Sequence, residues 1–299
     1  MQRSTKAFRN QPFKKNVKIR MKKIGLIPAA GTADRIAPLP CSKELYPIGF
    51  HPIGAGRSPR PKVVSQYLLE KMRIANTAEV YIVLRKGKWD IPEYFGDGKA
   101  LSMRLAYLIM DLPFGVPYTL DQAYPFVKDS MVVFGFPDII FQPDNAFVQL
   151  LARQAATNAD IVLGIFPAHQ PRKMDMVDID ANGRICEIQI KPDRTDLEFT
   201  WIFAVWTPVF TDFMHEYILT YSRQNHKIRA SLTAEDQKEM FIGDVVQAAI
   251  DNGLLVESVI FSDGSYLDIG TPADLVKAVR EISYADIFEK EGVVSPKLA

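Results

Sequence analysis

KIGLIPAAGTADRIAPLPCSKEL, residues 23–45, opens as a short apolar run and continues as a loop of small residues carrying one arginine and one lysine. Such a stretch reads as a buried strand feeding a turn whose free N–H groups form an anion nest, because small residues let the backbone approach a ligand. Arg35 and Lys43 would add charge-assisted bonds to phosphate oxygens. The loop lacks the second glycine of a usual phosphate cradle, and on this stretch alone a tight strand-to-helix turn with surface cations explains it equally well.

Outward from the loop, short β-branched runs alternate with segments of helical spacing. Residues 23–28, 79–84, 131–136 and 159–166 read as buried strands, while 63–72, 99–110 and 145–156 read as helices. This alternation predicts an α/β fold with a mainly parallel sheet covered by helices. Beyond residue 170 the texture changes. MVDID, GRICEIQI and EFTWIFAVW are closely spaced strands, with Asn182-Gly183 as a hairpin-type turn, which predicts an antiparallel region joined to the parallel core. Helices near 208–222 and 243–252, the strand VESVIF, an Asp263-Gly264 turn and a helix opening at Pro272 complete the pattern. Residues 49–61 read as a loop without a core, and the polar stretch after residue 222 as mobile.

A net charge of +1 excludes a global field for nucleic acid or membranes. The first twenty residues carry seven basic and no acidic side chains, which predicts a disordered tail over 1–20 and a folded domain over 21–299. No run approaches the ~20 apolar residues of a membrane span. Cys41 and Cys186 show no metal spacing, consistent with a reducing cytoplasm. The four histidines share no pattern, and no GxxxxGK[ST] occurs. Trp201 and Trp206, five apart on one strand, are expected on opposite faces, one lining a pocket and the other packing.

In open α/β sheets ligands bind beyond the carboxyl ends of strands. Asp138 in FGFPDIIF directly follows an apolar strand, and Asp268 in GSYLDIGTP sits between core residues. Either alone reads as a cap or turn. Two carboxylates converging with a cationic loop on a triphosphate would need a metal between them, and hard oxygen ligands point to Mg²⁺.

PAAGTADRIAP with SKELYPI, FPDIIF, IQIKP and YLDIGTPADL, in this order from about residue 24 to 279, resemble the sugar-1-phosphate nucleotidyltransferases, and TLDQA resembles their stretch near the base. The resemblance implies a Rossmann-like three-layer α/β/α fold with a mixed, mainly parallel central sheet and an antiparallel sugar-side region. It implies joining of a sugar 1-phosphate to an NTP, with Ala29, Ala30, Gly31, Thr32, Gln122 and Asp138 at the nucleotide and Arg35, Lys43 and Lys191 as catalytic cations. Asp138 and Asp268 would hold Mg²⁺, and Asp175 and Trp201 would lie at the sugar. The family pattern is compatible with a homo-oligomer and involves neither nucleic acid nor membrane. Ala33 and Asp34 replace the family's glycine and threonine, and Ile190 replaces the acid of its EKP motif. Asp175 and Trp201 stand where small glycines make room for the hexose. The competing reading is a nucleotide- or sugar-binding regulatory relative without turnover.

Overall fold

The computed structural model describes residues 21–51, 60–111, 114–229 and 239–288. The basic tail over 1–20, most of the 49–61 insert and residues 230–238 of the polar stretch lie outside the described residues.

The chain begins with β1 (Lys23–Ala29), followed by the antiparallel pair β2 (Pro47–His51) and β3 (Arg60–Val63). The two ends of the insert are therefore strand rather than loop, and Ile48 is fully buried. Next come α1 (Val64–Ile74), β4 (Glu79–Arg85), α2 (Asp90–Phe95), β5 (Arg104–Met110), α3 (Val116–Asp121), α4 (Tyr124–Val127) and β6 (Met131–Gly135). The middle section holds β7 (Ile139–Gln142), α5 (Ala146–Thr157), β8 (Ile161–Pro167), β9 (Asp175–Ile179), β10 (Ile185–Ile190) and β11 (Phe199–Trp206). It closes with α6 (Pro208–Arg229), α7 (Ile242–Asp251), β12 (Val256–Ile260), β13 (Ser265–Asp268) and α8 (Pro272–Phe288).

Residues 99–110 correct one expectation: they form a 3-10 turn and the edge strand β5, not a helix. KALSMRLAYLIM has apolar residues compatible with both periods, and pairing along all of β4 decides for the strand.

β6, β1, β4 and β5 are parallel neighbours, the arrangement expected of βαβ units. β11 then runs antiparallel to β6, β8 and β9, and β9 antiparallel to β10. One core packs α1, α2 and α5 on one face of the sheet. A second packs α3, α6 and α7 on the other, giving three layers. Among the described residues no helix is long and apolar enough to cross a membrane.

β11 positions the site. Along one edge Phe203–Trp206 pair with β6 while Phe199 and Thr200 pair with β9, so the sheet forks at Trp201. A bulge between Trp201 and Phe203 accompanies the fork. Two residues there oppose one partner, which resets the side-chain alternation. Ile202 and Phe203 consequently face one core, and Trp201 and Trp206 both face the other. The expectation that the two tryptophans point to opposite faces fails for this reason, although Trp206 packs, donating to the Thr211 hydroxyl at 3.0 Å, while Trp201 lines a cavity.

Opposite the bulge, Gly164 allows the Phe203 ring to lie against the backbone: a Cβ there would sit 2.4 Å from Phe203 Cε2. That ring is held by Phe141, stacked at 4.1 Å. Gly164→Ala is expected to cost about 1–3 kcal/mol by overpacking, read as a lowered denaturation midpoint at unchanged m-value; an unchanged midpoint would show that the ring moves freely.

Candidate active site

Two distant carboxylates are brought together by a short two-stranded sheet. β6 ends at Gly135, Pro137 interrupts the ladder, and Asp138 is followed at once by β7. β7 pairs antiparallel with β13, setting Asp268 across from Ile139. The Ile269 N–H donates to the Asp138 carbonyl at 3.0 Å, extending the clamp. Gly270 completes it: a Cβ there would lie 3.1 Å from the Arg35 guanidinium and 3.2 Å from Asp268 Oδ1. Its absence lets arginine and aspartate approach over bare backbone.

Lys43 lies between the two acids. Its Nζ contacts Asp138 Oδ2 at 2.5 Å. Burial works against the Asp138 carboxylate, but the Lys43 charge and hydrogen bond prevail and hold it below the usual range. The same Asp138 charge, the largest influence on Lys43, raises the lysine. Asp268 goes the other way. Burial first, then the Asp138 charge, push it up to about 6 against the pull of Lys43 and Arg35. One lysine thus neutralises one of two adjacent acids. The neighbouring Glu44, raised by burial, pairs with Lys88 at 2.6 Å and leaves Oε2 unpartnered.

The loop after β1 makes a tight turn at Ala33. Ala33 has φ 61°, the left-handed conformation that favours glycine. Its carbonyl accepts from Ile36 N–H at 3.0 Å and Ala37 N–H at 3.1 Å. Asp34 accepts from the Thr32 hydroxyl at 2.6 Å in an exposed position.

A second cluster lines the same cavity, whose volume is about 650 Å³. Lys191, at the end of β10, has φ 40° and places Nζ 3.9 Å over the Phe241 ring. Asp175 at the start of β9 lies opposite Ile190 in the ladder. Burial, opposed by the Lys191 charge and aided by Asp244, pushes Asp175 up to about 6. Asp175 Oδ1 and Trp201 Nε1 have no hydrogen-bond partner among the described residues.

Of the residues expected from sequence, Ala30, Gly31, Thr32, Arg35, Lys43, Asp138, Asp175, Lys191, Trp201 and Asp268 all line this cavity. Ala29 does not. Strand alternation turns it into the core, 1% exposed, while Pro28 and Ala30 face the cavity. Gln122 is also outside, an exposed residue at the end of α3 donating back to the Tyr118 carbonyl at 3.3 Å. The helix instead presents its first residues, Gly115, Val116 and Thr119. Gly115 has φ 109°, and a Cβ there would meet the Met240 carbonyl at 2.2 Å, so the GVP turn was the readable signal. Glu44 and Phe241 were missed because burial and ring stacking leave no local motif.

The fold is that of an α/β protein, a mixed sheet with cations and two acids gathered beyond the ends of its parallel strands. The nucleotidyl transferase family model matches residues 24–284, and the chain belongs to that family. It is 22% identical over 275 residues to the low-salt glycan biosynthesis nucleotidyltransferase of Haloferax volcanii, covering 91% of this chain and 69% of the relative. A glucose-1-phosphate thymidylyltransferase of Streptomyces griseus is 24% identical over 265 residues, covering 85% of this chain and 64% of the relative. The chain thus spans about two thirds of these relatives' length. A Bacillus anthracis protein assigned as a glucose-1-phosphate thymidylyltransferase and solved with sucrose has a similar fold. Its TM-score is 0.68 at 20% identity, covering 88% of this chain and 97% of that one.

The donor set fits a divalent cation that the family's chemistry implies. Asp138 and Asp268 offer hard oxygen donors; burial first and the Asp138 charge second raise Asp268, and a cation between them would relieve the repulsive part. Among the described residues no third His, Cys, Asp or Glu completes a metal-binding group. An ion bound here would complete its shell with phosphate oxygens and water.

Asp175 gives a pH test of site electrostatics. Its folded value of about 6 lies above the ordinary 3.8. The stability contributed by its protonated form is therefore present at low pH and lost as pH rises through about 6. Above that, the ionised group costs on the order of 3 kcal/mol. Asp175→Asn should raise unfolding free energy by up to that amount at about pH 8 and hardly at all near pH 4. An equal effect at both pH values in urea titrations would exclude a buried charge as the cause.

Proposed function

We propose that this enzyme joins a sugar 1-phosphate to a nucleoside triphosphate, giving an NDP-sugar and pyrophosphate with Mg²⁺ as cofactor. The observation that carries this reading is one cavity holding both clusters: Arg35, Lys43, Asp138 and Asp268, and Lys191 with Asp175 and Trp201. The names of the relatives, which act on glucose 1-phosphate or in glycan synthesis, favour the same class.

An acceptor phosphate oxygen attacks the α-phosphorus, a new P–O bond forms, and the bond to the β-phosphate breaks with its electrons leaving on pyrophosphate. The nucleophile is already an anion, so no general base is required. The protein's task is positioning and charge dispersal. Backbone N–H groups of Ala30, Gly31 and Thr32 would cradle the triphosphate, and Arg35 would take charge on the leaving pyrophosphate. Lys43, held by Asp138, would stand beside the phosphates. Lys191 would receive the acceptor phosphate and is kept near it by the Phe241 ring. Asp138 and Asp268 would hold Mg²⁺, which supplies Lewis-acid stabilisation of phosphoryl charge when bound.

Pyrophosphate release from purified protein with Mg²⁺, each NTP and a panel of sugar 1-phosphates tests the reaction. Asp138→Asn and Asp268→Asn are each expected to lower kcat by at least about 100-fold with the fold retained by circular dichroism. A variant with near-wild-type kcat would make that carboxylate structural. Melting temperature raised by NTP, with no pyrophosphate from any pair, would replace turnover by binding.

A further inference from the structure

The acceptor half of the cavity contains a carboxylate that the phosphate chemistry does not use. Asp175 has one oxygen packed on the first turn of α7: a Cβ on Gly243 would lie 2.6 Å from Oδ2 and 2.4 Å from Ile190 Cδ1. The other oxygen, Oδ1, has no hydrogen-bond partner among the described residues. Ile190 and Asp175 are ladder partners, and the Gly243 contacts place their side chains together on one face. Position 190 precedes the phosphate-site candidate Lys191, and there this chain has an aliphatic residue.

Trp201 supplies the complementary group. Phe199 pairs with Val177 and Thr200 with Met176, and Trp201 follows directly where β11 leaves β9, with both Trp201 and Asp175 lining the cavity. The Thr200 hydroxyl donates to the Asp175 carbonyl at 2.9 Å, which fixes that register. An indole N–H and a carboxylate oxygen, neither with a hydrogen-bond partner among the described residues, therefore lie on the wall of one cavity, with Trp201 only 5% exposed. Leaving both unpaired in an apolar setting is unfavourable. One hydroxyl satisfies both, accepting from the indole and donating to the carboxylate.

We infer that Asp175 and Trp201 are the specificity-determining pair for the acceptor, recognising one ring hydroxyl of a phosphorylated sugar from the strand beside Ile190. This rests on the sugar-phosphate reading above. Asp175 then carries a binding role at a position where its charge opposes folding, a trade common at functional sites.

The test is calorimetric binding, which needs no turnover. Glucose, galactose and mannose 1-phosphates are titrated into wild-type protein, followed by the monodeoxy analogues of the tightest binder. One deoxy analogue is expected to bind on the order of 10- to 100-fold more weakly than its parent. In Asp175→Asn and in Trp201→Phe the same analogue should differ from its parent by less than about 3-fold, with NTP affinity within about 2-fold of wild type. A purely structural role would not move that ratio. The inference is overturned if no sugar 1-phosphate binds, if every deoxy analogue binds like its parent, or if the discrimination survives in both variants. Binding with discrimination but without pyrophosphate release would sink the proposed reaction and leave this pair standing; turnover without discrimination would do the reverse.

Discussion

Holding two negative charges side by side in a partly desolvated place is the constraint on which the rest of the site depends. Asp138 and Asp268 are 130 residues apart in the chain. They meet because a four-residue strand after β6 pairs with a four-residue strand before α8. Repulsion in such a pair is unfavourable unless cations answer it. Lys43 answers for Asp138 in an ion pair, while the Arg35 charge opposes the rise of Asp268 from beside the bare backbone of Gly270. Each cation comes from the loop after β1. The first strand's connection and the last strand's carboxylate are therefore parts of one electrostatic unit, and neither is comprehensible alone.

The second half of the cavity follows from a topological change. Parallel strands end at β6, and β11 continues the sheet antiparallel while shared between β6 and β9. A strand cannot serve two diverging neighbours without a local irregularity, and the bulge at Ile202 supplies it. The bulge turns Trp201 toward the cavity side and opens the sheet where a ligand can enter between its halves. Lys191, in a left-handed conformation at the end of β10, is a further local cost at the same place. Such costs concentrate where the backbone is shaped for a ligand rather than for its own stability.

How much of this was legible in the sequence depends on the range of the interactions. The buried strands at 23–28, 79–84, 131–136 and 159–166 were readable because continuous β-branched runs encode burial locally. Arg35, Lys43, Asp138 and Asp268 were readable because strand ends are where open sheets bind ligands. Residues 99–110 were misread because an edge strand beside a parallel neighbour has the same mixed pattern as a half-buried helix. The facing of Trp201 was misread because a bulge is set by partners on two other strands. Ala29 and Gln122 were placed by motif proximity. A single step of strand alternation hides the first, and the helix presents its opposite end in the second case. The buried Glu44–Lys88 pair joins residues 44 positions apart and leaves no spacing to detect.

The altered loop shows what such a cradle must conserve. Ala33 adopts φ 61° despite its Cβ, at a cost of about 1–2 kcal/mol relative to an ordinary backbone position. Its carbonyl still receives two N–H groups, from Ile36 and Ala37, so the turn that aims Arg35 is preserved. Asp34 introduces a negative charge, but the Thr32 hydroxyl binds it in an exposed position where solvent screens its field. The backbone path of this loop brings Arg35 to the Gly270 side of Asp268. Glycine at position 33 is one means of reaching that path, and packing of the Ala33 methyl against the Ile36 and Ile269 cluster offers another.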